Sequence, residues 1–134
     1  MKASSTRFRP LSQTERDILG RLLERDFPGR EEIRRQLEQC LVRIIDEEGS
    51  LEFKVESKVS APVARRVPVE AEMRDEDGIP VRLLLHVVDN VVAELDVYKA
   101  DGSPLIKELT PSALRLVNPD EDIWLGDSAG SESP

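Results

Sequence analysis

The sequence predicts an α+β fold, with two N-terminal helices packed on one face of an antiparallel β-meander of about five strands. Three observations carry this expectation. Apolar residues recur at helical spacing up to about Leu41 and at a period of two beyond it. The candidate turns share one chemistry, an Asp or Glu followed directly by Gly or Asn. Two of those turns, taken separately, bring the same apolar side chains to one face.

The helices come first. Ser12-Gln13-Thr14-Glu15 has the form of a capping box, in which hydroxyl and carboxylate each satisfy an amide that a helix start leaves without a partner. Ile18, Leu19, Leu22 and Leu23 form one apolar stripe that Phe27-Pro28-Gly29 ends, so the first helix is expected over 13–26. Ile33, Leu37, Cys40 and Leu41 share one face of a second helix, and Glu31 with Arg35 and Arg34 with Glu38 pair across its other face.

Strands follow. Leu51, Phe53 and Val55 alternate with Glu52, Lys54 and Glu56, as do Val67, Val69, Ala71 and Met73 with Pro68, Glu70 and Glu72. Glu47-Glu48-Gly49, Glu76-Asp77-Gly78, Val88-Asp89-Asn90 and Ala100-Asp101-Gly102 are expected as three-residue loops whose last residue has positive φ. The second loop then pairs Met73 with Val81, Ala71 with Leu83 and Val69 with Leu85. The third pairs Leu85 with Ala93, Leu83 with Leu95 and Val81 with Val97. A two-residue Asp89-Asn90 turn is rejected, because it would set Glu94 and Asp96 opposite Leu85 and Leu83. The expected core contains Ile18, Leu22, Ile33, Leu37, Val69, Leu83, Leu85 and Leu95, with Phe27 and Phe53 as large fillers. Beyond Gly102, the residues Leu105, Ile106, Leu109 and Leu114 suit a short edge strand or a turn of helix. Residues 1–10 read as an arm, 11–117 as one domain and 118–134 as an acidic, flexible tail.

Composition narrows the function classes. The formal net charge of −8 repels phosphate backbones, so no nucleic-acid partner is expected. Five of the acids fall in the tail, which has no Lys or Arg. Aromatics are 4%, so stacking platforms for bases or sugars are scarce. A single cysteine, the absence of a signal-like apolar start and the absence of a long apolar run predict a cytoplasmic chain without disulfides or membrane contact.

On the sheet face opposite the core, the expected register gives three rows: Glu72, Arg82 and Asp96; Glu70, Leu84 and Glu94; Pro68, His86 and Val92. The first row is an ordinary solvated charge arrangement or a site for a partner's anion. Glu70 and Glu94 fall two strand spacings apart, roughly 9.5 Å, near the upper end of the separation that inverting glycosidases use. Those two carboxylates and His86 are the only candidate catalytic or metal-assisting groups, and zinc sites prefer several Cys and His ligands. No metal or other cofactor is expected. Cys40 reads as a packed thiol. Trp124 within Asp122-Ile123-Trp124-Leu125 is either a docking motif or a clip onto the parent domain.

Several stretches resemble a group of small bacterial proteins of unassigned function. They are Arg9-Pro10-Leu11 with Glu15, Asp77-Gly78-Ile79-Pro80, Leu84-Leu85-His86-Val87, and the run Glu94-Leu95-Asp96-Val97-Tyr98-Lys99 with Asp101-Gly102-Ser103-Pro104. The resemblance spans about 9–116 and departs at Asp89-Asn90, where the pattern has Asp-Gly. It implies a bacterial cytoplasmic domain and supplies no activity or catalytic residue.

The expected function is a non-catalytic protein-interaction domain, immunity-like or accessory. It docks on another protein or a second copy through Arg82, Leu84, His86, Glu94, Asp96 and Tyr98, or through Trp124 in the tail. The alternative is a hydrolytic or metal-assisted enzyme that uses Glu70, Glu94 and His86.

Overall fold

The computed structural model describes residues 7–117. Helix α1 (Gln13–Leu22) starts at the expected capping box: Ser12 Oγ accepts the Glu15 N–H at 3.1 Å, and the Glu15 carboxylate accepts the Ser12 N–H at 2.8 Å. The same carboxylate takes a two-pronged bond from Arg9 at 2.9 and 2.8 Å, which anchors the arm. The helix ends at Leu22, earlier than expected. The Glu24 and Arg25 amides bond three residues back, to Arg21 and Leu22, so the last turn tightens and cannot propagate.

Helix α2 (Arg30–Glu38) begins at Gly29, whose φ is +93°. It also ends early, because Cys40 and Leu41 open a strand. Their spacing suits either structure, and pairing with a neighbouring strand settles the choice for the strand. The six strands are β1 (Cys40–Ile44), β2 (Leu51–Val55), β3 (Val69–Arg74), β4 (Pro80–Val88), β5 (Val91–Lys99) and β6 (Arg115–Val117). They form one antiparallel sheet in the order β1-β2-β5-β4-β3-β6, one strand more than expected. The arm adds a bridge on the outer edge of β1, with Arg9 and Val42 exchanging N–H···O bonds of 2.8 and 2.7 Å.

The β3–β4 hairpin has the expected register, with Met73, Ala71 and Val69 opposite Val81, Leu83 and Leu85. The β4–β5 hairpin does not. Asp89 and Asn90 both have positive φ, 53° and 64°, and form the two-residue turn that the sequence argument disfavoured, with Val88 opposite Val91. A bulge then leaves Ala93 without an opposite residue, since Val87 faces Val92 while His86 faces Glu94. One extra residue reverses the parity. Apolar side chains therefore return to the core face, with Leu85 opposite Leu95, Leu83 opposite Val97 and Val81 opposite Lys99.

A buried glutamine holds this irregularity. Gln36 of α2 donates from Nε2 to the Val59 and Asn90 carbonyls at 2.7 and 2.9 Å, and its Oε1 accepts the Val92 N–H at 2.9 Å. One amide thus gives partners to the Val59 carbonyl and the Val92 N–H and joins the Ala61 N–H on the Asn90 carbonyl. A buried serine works similarly on the other side of β5: Ser50 Oγ donates to the Val97 carbonyl and accepts the Val97 N–H, at 3.1 and 2.8 Å.

The core includes all eight expected residues, gathered with Leu19, Leu23, Val42, Leu51, Phe53, Val92 and Val97 in one cluster between helices and sheet. Phe27 packs at its margin, half-buried. The expected positive φ occurs at Gly49, Gly78 and Gly102 as well as at Asn90.

Gly29 and Gly78 differ in one respect that experiment can read. A Cβ at Gly29 meets Val63 Cγ1 at 2.9 Å and the Val63 amide nitrogen at 3.2 Å, whereas one at Gly78 meets nothing within 4 Å. Gly78→Ala should cost about 1–2 kcal/mol, the penalty of left-handed backbone alone. Gly29→Ala should cost clearly more in urea unfolding, since the loop carrying Val63 must also move.

Candidate functional site

The bulge decides which side chains share the sheet face that the helices leave. The observed rows are Arg115, Glu72, Arg82 and Tyr98; Val117, Glu70, Leu84 and Asp96; and His86, Glu94, Glu52 and Arg43. Compared with the expected grid, Asp96 moves beside Leu84, Glu94 moves beside His86, and Tyr98 takes the place beside Arg82. Val92 leaves the face for the core, where it is 1% exposed. Trp124 lies outside the described residues.

The new rows weaken the carboxylate-pair reading. Glu70 and Glu94 now differ by two strands and one row, roughly 12 Å between backbones, beyond the glycosidase range. Both nitrogens of His86 face other groups: Nδ1 accepts from Arg66 Nε at 3.1 Å, and Nε2 lies 3.9 Å from Asp96. Arg82 lies 3.8 Å from Glu70 and 4.0 Å from Glu72, and Arg115 reaches Glu72 at 2.8 Å. Among the described residues, no group of three or more His, Cys, Asp or Glu is placed to hold a metal ion. Cys40 is half-buried, its thiol pushed up to about 11 mainly by burial, so it is a thiol and not a thiolate nucleophile at neutral pH.

The densest polar cluster lies at the other end of β5 and was not anticipated. Lys99 occupies a core-side position opposite Val81, and its buried ammonium sits 2.9 Å from Asp75 and 2.7 Å from Asp77. The buried Asp75 carboxylate also accepts the Ile106, Lys107 and Glu76 amides at 2.8, 3.0 and 2.8 Å. Lys99 is further bonded to the Pro104 carbonyl at 3.3 Å. The sequence signal for this cluster is a lysine in phase with Leu95 and Val97.

Each charge here has its counterpart, so the cluster reads as a structural junction. Burial pushes the Asp75 carboxyl up, but the Lys99 hydrogen bond and the three amides outweigh it and hold the group well below the usual range. Burial pulls the Lys99 ammonium down, and the hydrogen bonds it donates to Asp77 and Asp75 outweigh that and raise it. A depressed carboxylate stabilises the fold above its unfolded pKa, and that contribution fades as pH falls towards the folded value. A raised ammonium stabilises below its unfolded pKa, and its contribution fades at high pH. The difference in urea midpoint between wild type and Asp75→Asn should therefore stay level from about pH 5 to about pH 9 and narrow below about pH 4.

Among the described residues, two concavities lie elsewhere. One of about 560 Å³ runs between the start of α1, the β1–β2 loop and residues 105–109, with Ile18, Ile44, Leu51 and Leu95 among its lining residues and Glu47, Glu48 and Glu108 at its rim. A smaller one of about 230 Å³ lies between the helices, beside Leu19, Gly20, Leu23 and Leu37. Neither contains Glu70, His86 or Glu94.

Among the described residues, no helix is long and apolar enough to cross a membrane. Comparison with curated proteins and with solved structures finds no match. Residues 8–109 match the family described as Domain of unknown function (DUF6984), a span that runs from the arm on the edge of β1, through both helices, to the segment fastened by Asp75. The chain belongs to that family.

Proposed function

We propose that the chain is a non-catalytic protein-interaction domain that docks on another protein through the β4–β5 half of its second sheet face. The observation that carries this reading is Tyr98, 40% exposed in the interior of a six-stranded sheet, with Arg82 opposite it and Leu84 and Asp96 in the next row. A tyrosine there offers a rigid apolar body with a polar tip, the kind of side chain that anchors protein interfaces. Val88 and Val91, 36% and 39% exposed, stand at the hairpin tip of the same two strands. Charges of both signs surround these groups and would set orientation and association rate more than affinity. Neither described concavity includes these residues, and a small substrate needs concavity.

The test is capture of a partner from the source cell, followed by affinity measurement on the purified pair. Tyr98→Asp should weaken binding by about tenfold or more, as loss of an interface anchor does, with the thermal midpoint nearly unchanged. Replacing both Glu70 and Glu94 by Gln should weaken binding only modestly. A partner indifferent to Tyr98→Asp overturns the proposal, and so does a hydrolytic turnover that disappears in the double variant. A homodimer that Tyr98→Asp dissociates would replace the second protein with a second copy.

A further inference from the structure

The larger cavity, of about 560 Å³, falls within the range of roughly 300–1,000 Å³ that small-ligand sites occupy. Its floor is apolar. Ile18, Leu51 and Leu95 belong to the core cluster, Ile44, Leu105 and Leu109 pack against it, and all six line the cavity. The core thus reaches the surface here instead of closing over, and at the mouth Ile106 is 55% exposed.

The walls are held apart by polar anchors. Segment 105–109 is tied to Asp75 through the Ile106 and Lys107 amides, at 2.8 and 3.0 Å, and so cannot settle onto α1. The β1–β2 loop closes on Asp46, whose Oδ1 accepts the Glu48 and Ser50 amides, both at 3.0 Å. The start of α1 is fixed by the Ser12–Glu15 box and by Arg9. Collapse of the cavity would break hydrogen bonds at one of these anchors, so the space is preformed.

The rim has a sign. Glu47, Glu48 and Glu108 stand there against one cation, Lys107, and among the described residues none of these four side chains is in an ion pair or a hydrogen bond. Glu15, by contrast, is committed to Arg9 and the helix start. No aromatic side chain lines the cavity, which leaves out the cage that binds quaternary ammonium through ring faces. The complement of an aliphatic floor under a carboxylate rim is a hydrocarbon chain ending in a primary ammonium, whose three N–H donors suit carboxylate acceptors.

We propose that this cavity binds an aliphatic primary amine, with its hydrocarbon against Ile18, Ile44, Leu51 and Leu95 and its ammonium at the rim of Glu47, Glu48 and Glu108. Tyr98 and Leu84 do not line the cavity, so the site stands whether or not the β4–β5 face docks a partner.

The test is an amide-resolved NMR titration of the full-length protein at pH 7 with butylamine, hexylamine and octylamine, each below the concentration at which it aggregates. Shifts should gather at residues 12–18, 47–51 and 105–109, and affinity should rise about threefold to fourfold per added methylene, as burial of each one provides. Octylamine should bind several-fold more tightly than octanol, and octanoate more weakly than octanol. Replacing Glu47 and Glu108 together by Lys, at two exposed positions, should weaken octylamine binding several-fold and leave octanol binding and the thermal midpoint nearly unchanged. Octanoate that binds as tightly as octylamine overturns the proposal, and so does an affinity that stays flat along the amine series or a set of shifts scattered over the surface. Cavity amides that shift with protein concentration in the absence of any amine would seat a second copy there and overturn it as well.

Discussion

The structure depends on a single buried amide. Gln36 faces three backbone groups of the Val59 loop and the β4–β5 hairpin, and those bonds hold the bulge, the one register shift among the described residues. Without a bulge, a two-residue turn would direct Glu94 and Asp96 into the core. With it, Leu95 and Val97 point inward and the charges outward. Every later position of β5 inherits that parity, including Lys99 at its end and Tyr98 on the opposite face. A side chain on a helix thus determines the composition of a sheet face that it never touches.

Lys99 shows what the parity achieves. A lysine in a core-facing position is costly unless its charge is matched, and the match comes from two turns at once: Asp75 and Asp77 at the β3–β4 hairpin, and the Pro104 carbonyl beyond β5. Asp75 adds the Ile106 and Lys107 amides, which fastens the segment after Pro104 to the sheet. The stretches Asp77-Gly78-Ile79-Pro80 and Lys99 through Pro104, far apart in the chain, are two halves of this junction. Likewise Arg9 and Glu15 are joined by a two-pronged ion pair that holds the arm on the edge of β1. Arg9, Glu15, Asp77 and Lys99, which lie in the stretches carrying the sequence resemblance, therefore have architectural roles.

Much of the fold was legible because its signals are local or periodic. The capping box at Ser12, the alternation of Val69, Ala71 and Met73, and the Asp-Gly turn at Gly78 each specify their structure within a few residues. The errors arose where a distant group decided. Cys40 and Leu41 fit a helical stripe and were drawn into a strand by β2, and the register of β5 was misread by two residues because the partner of Val92 is Gln36, far earlier in the chain. Positive φ at Asn90 did not separate the alternatives, since the two-residue and the three-residue loop both require it there. Most of the candidate face was legible as a set of residues, with Val92 the exception, and its rows were not, because rows depend on the bulge.

The rows carry the functional argument. In the sequence grid, Glu70 and Glu94 flank one leucine as a pair of acids might flank a substrate. In the folded sheet they are on different rows, Glu70 buried beside Arg82 and Glu94 beside His86. Raising a carboxyl pKa for acid catalysis needs desolvation or a nearby like charge, and an arginine works against both. On the β4–β5 side Tyr98, Leu84 and Asp96 stand beside Arg82, His86 and Glu94, on strands paired through eight residue pairs. The two halves of the face meet at Leu84, whose row joins Asp96 on one side to Glu70 and Val117 on the other.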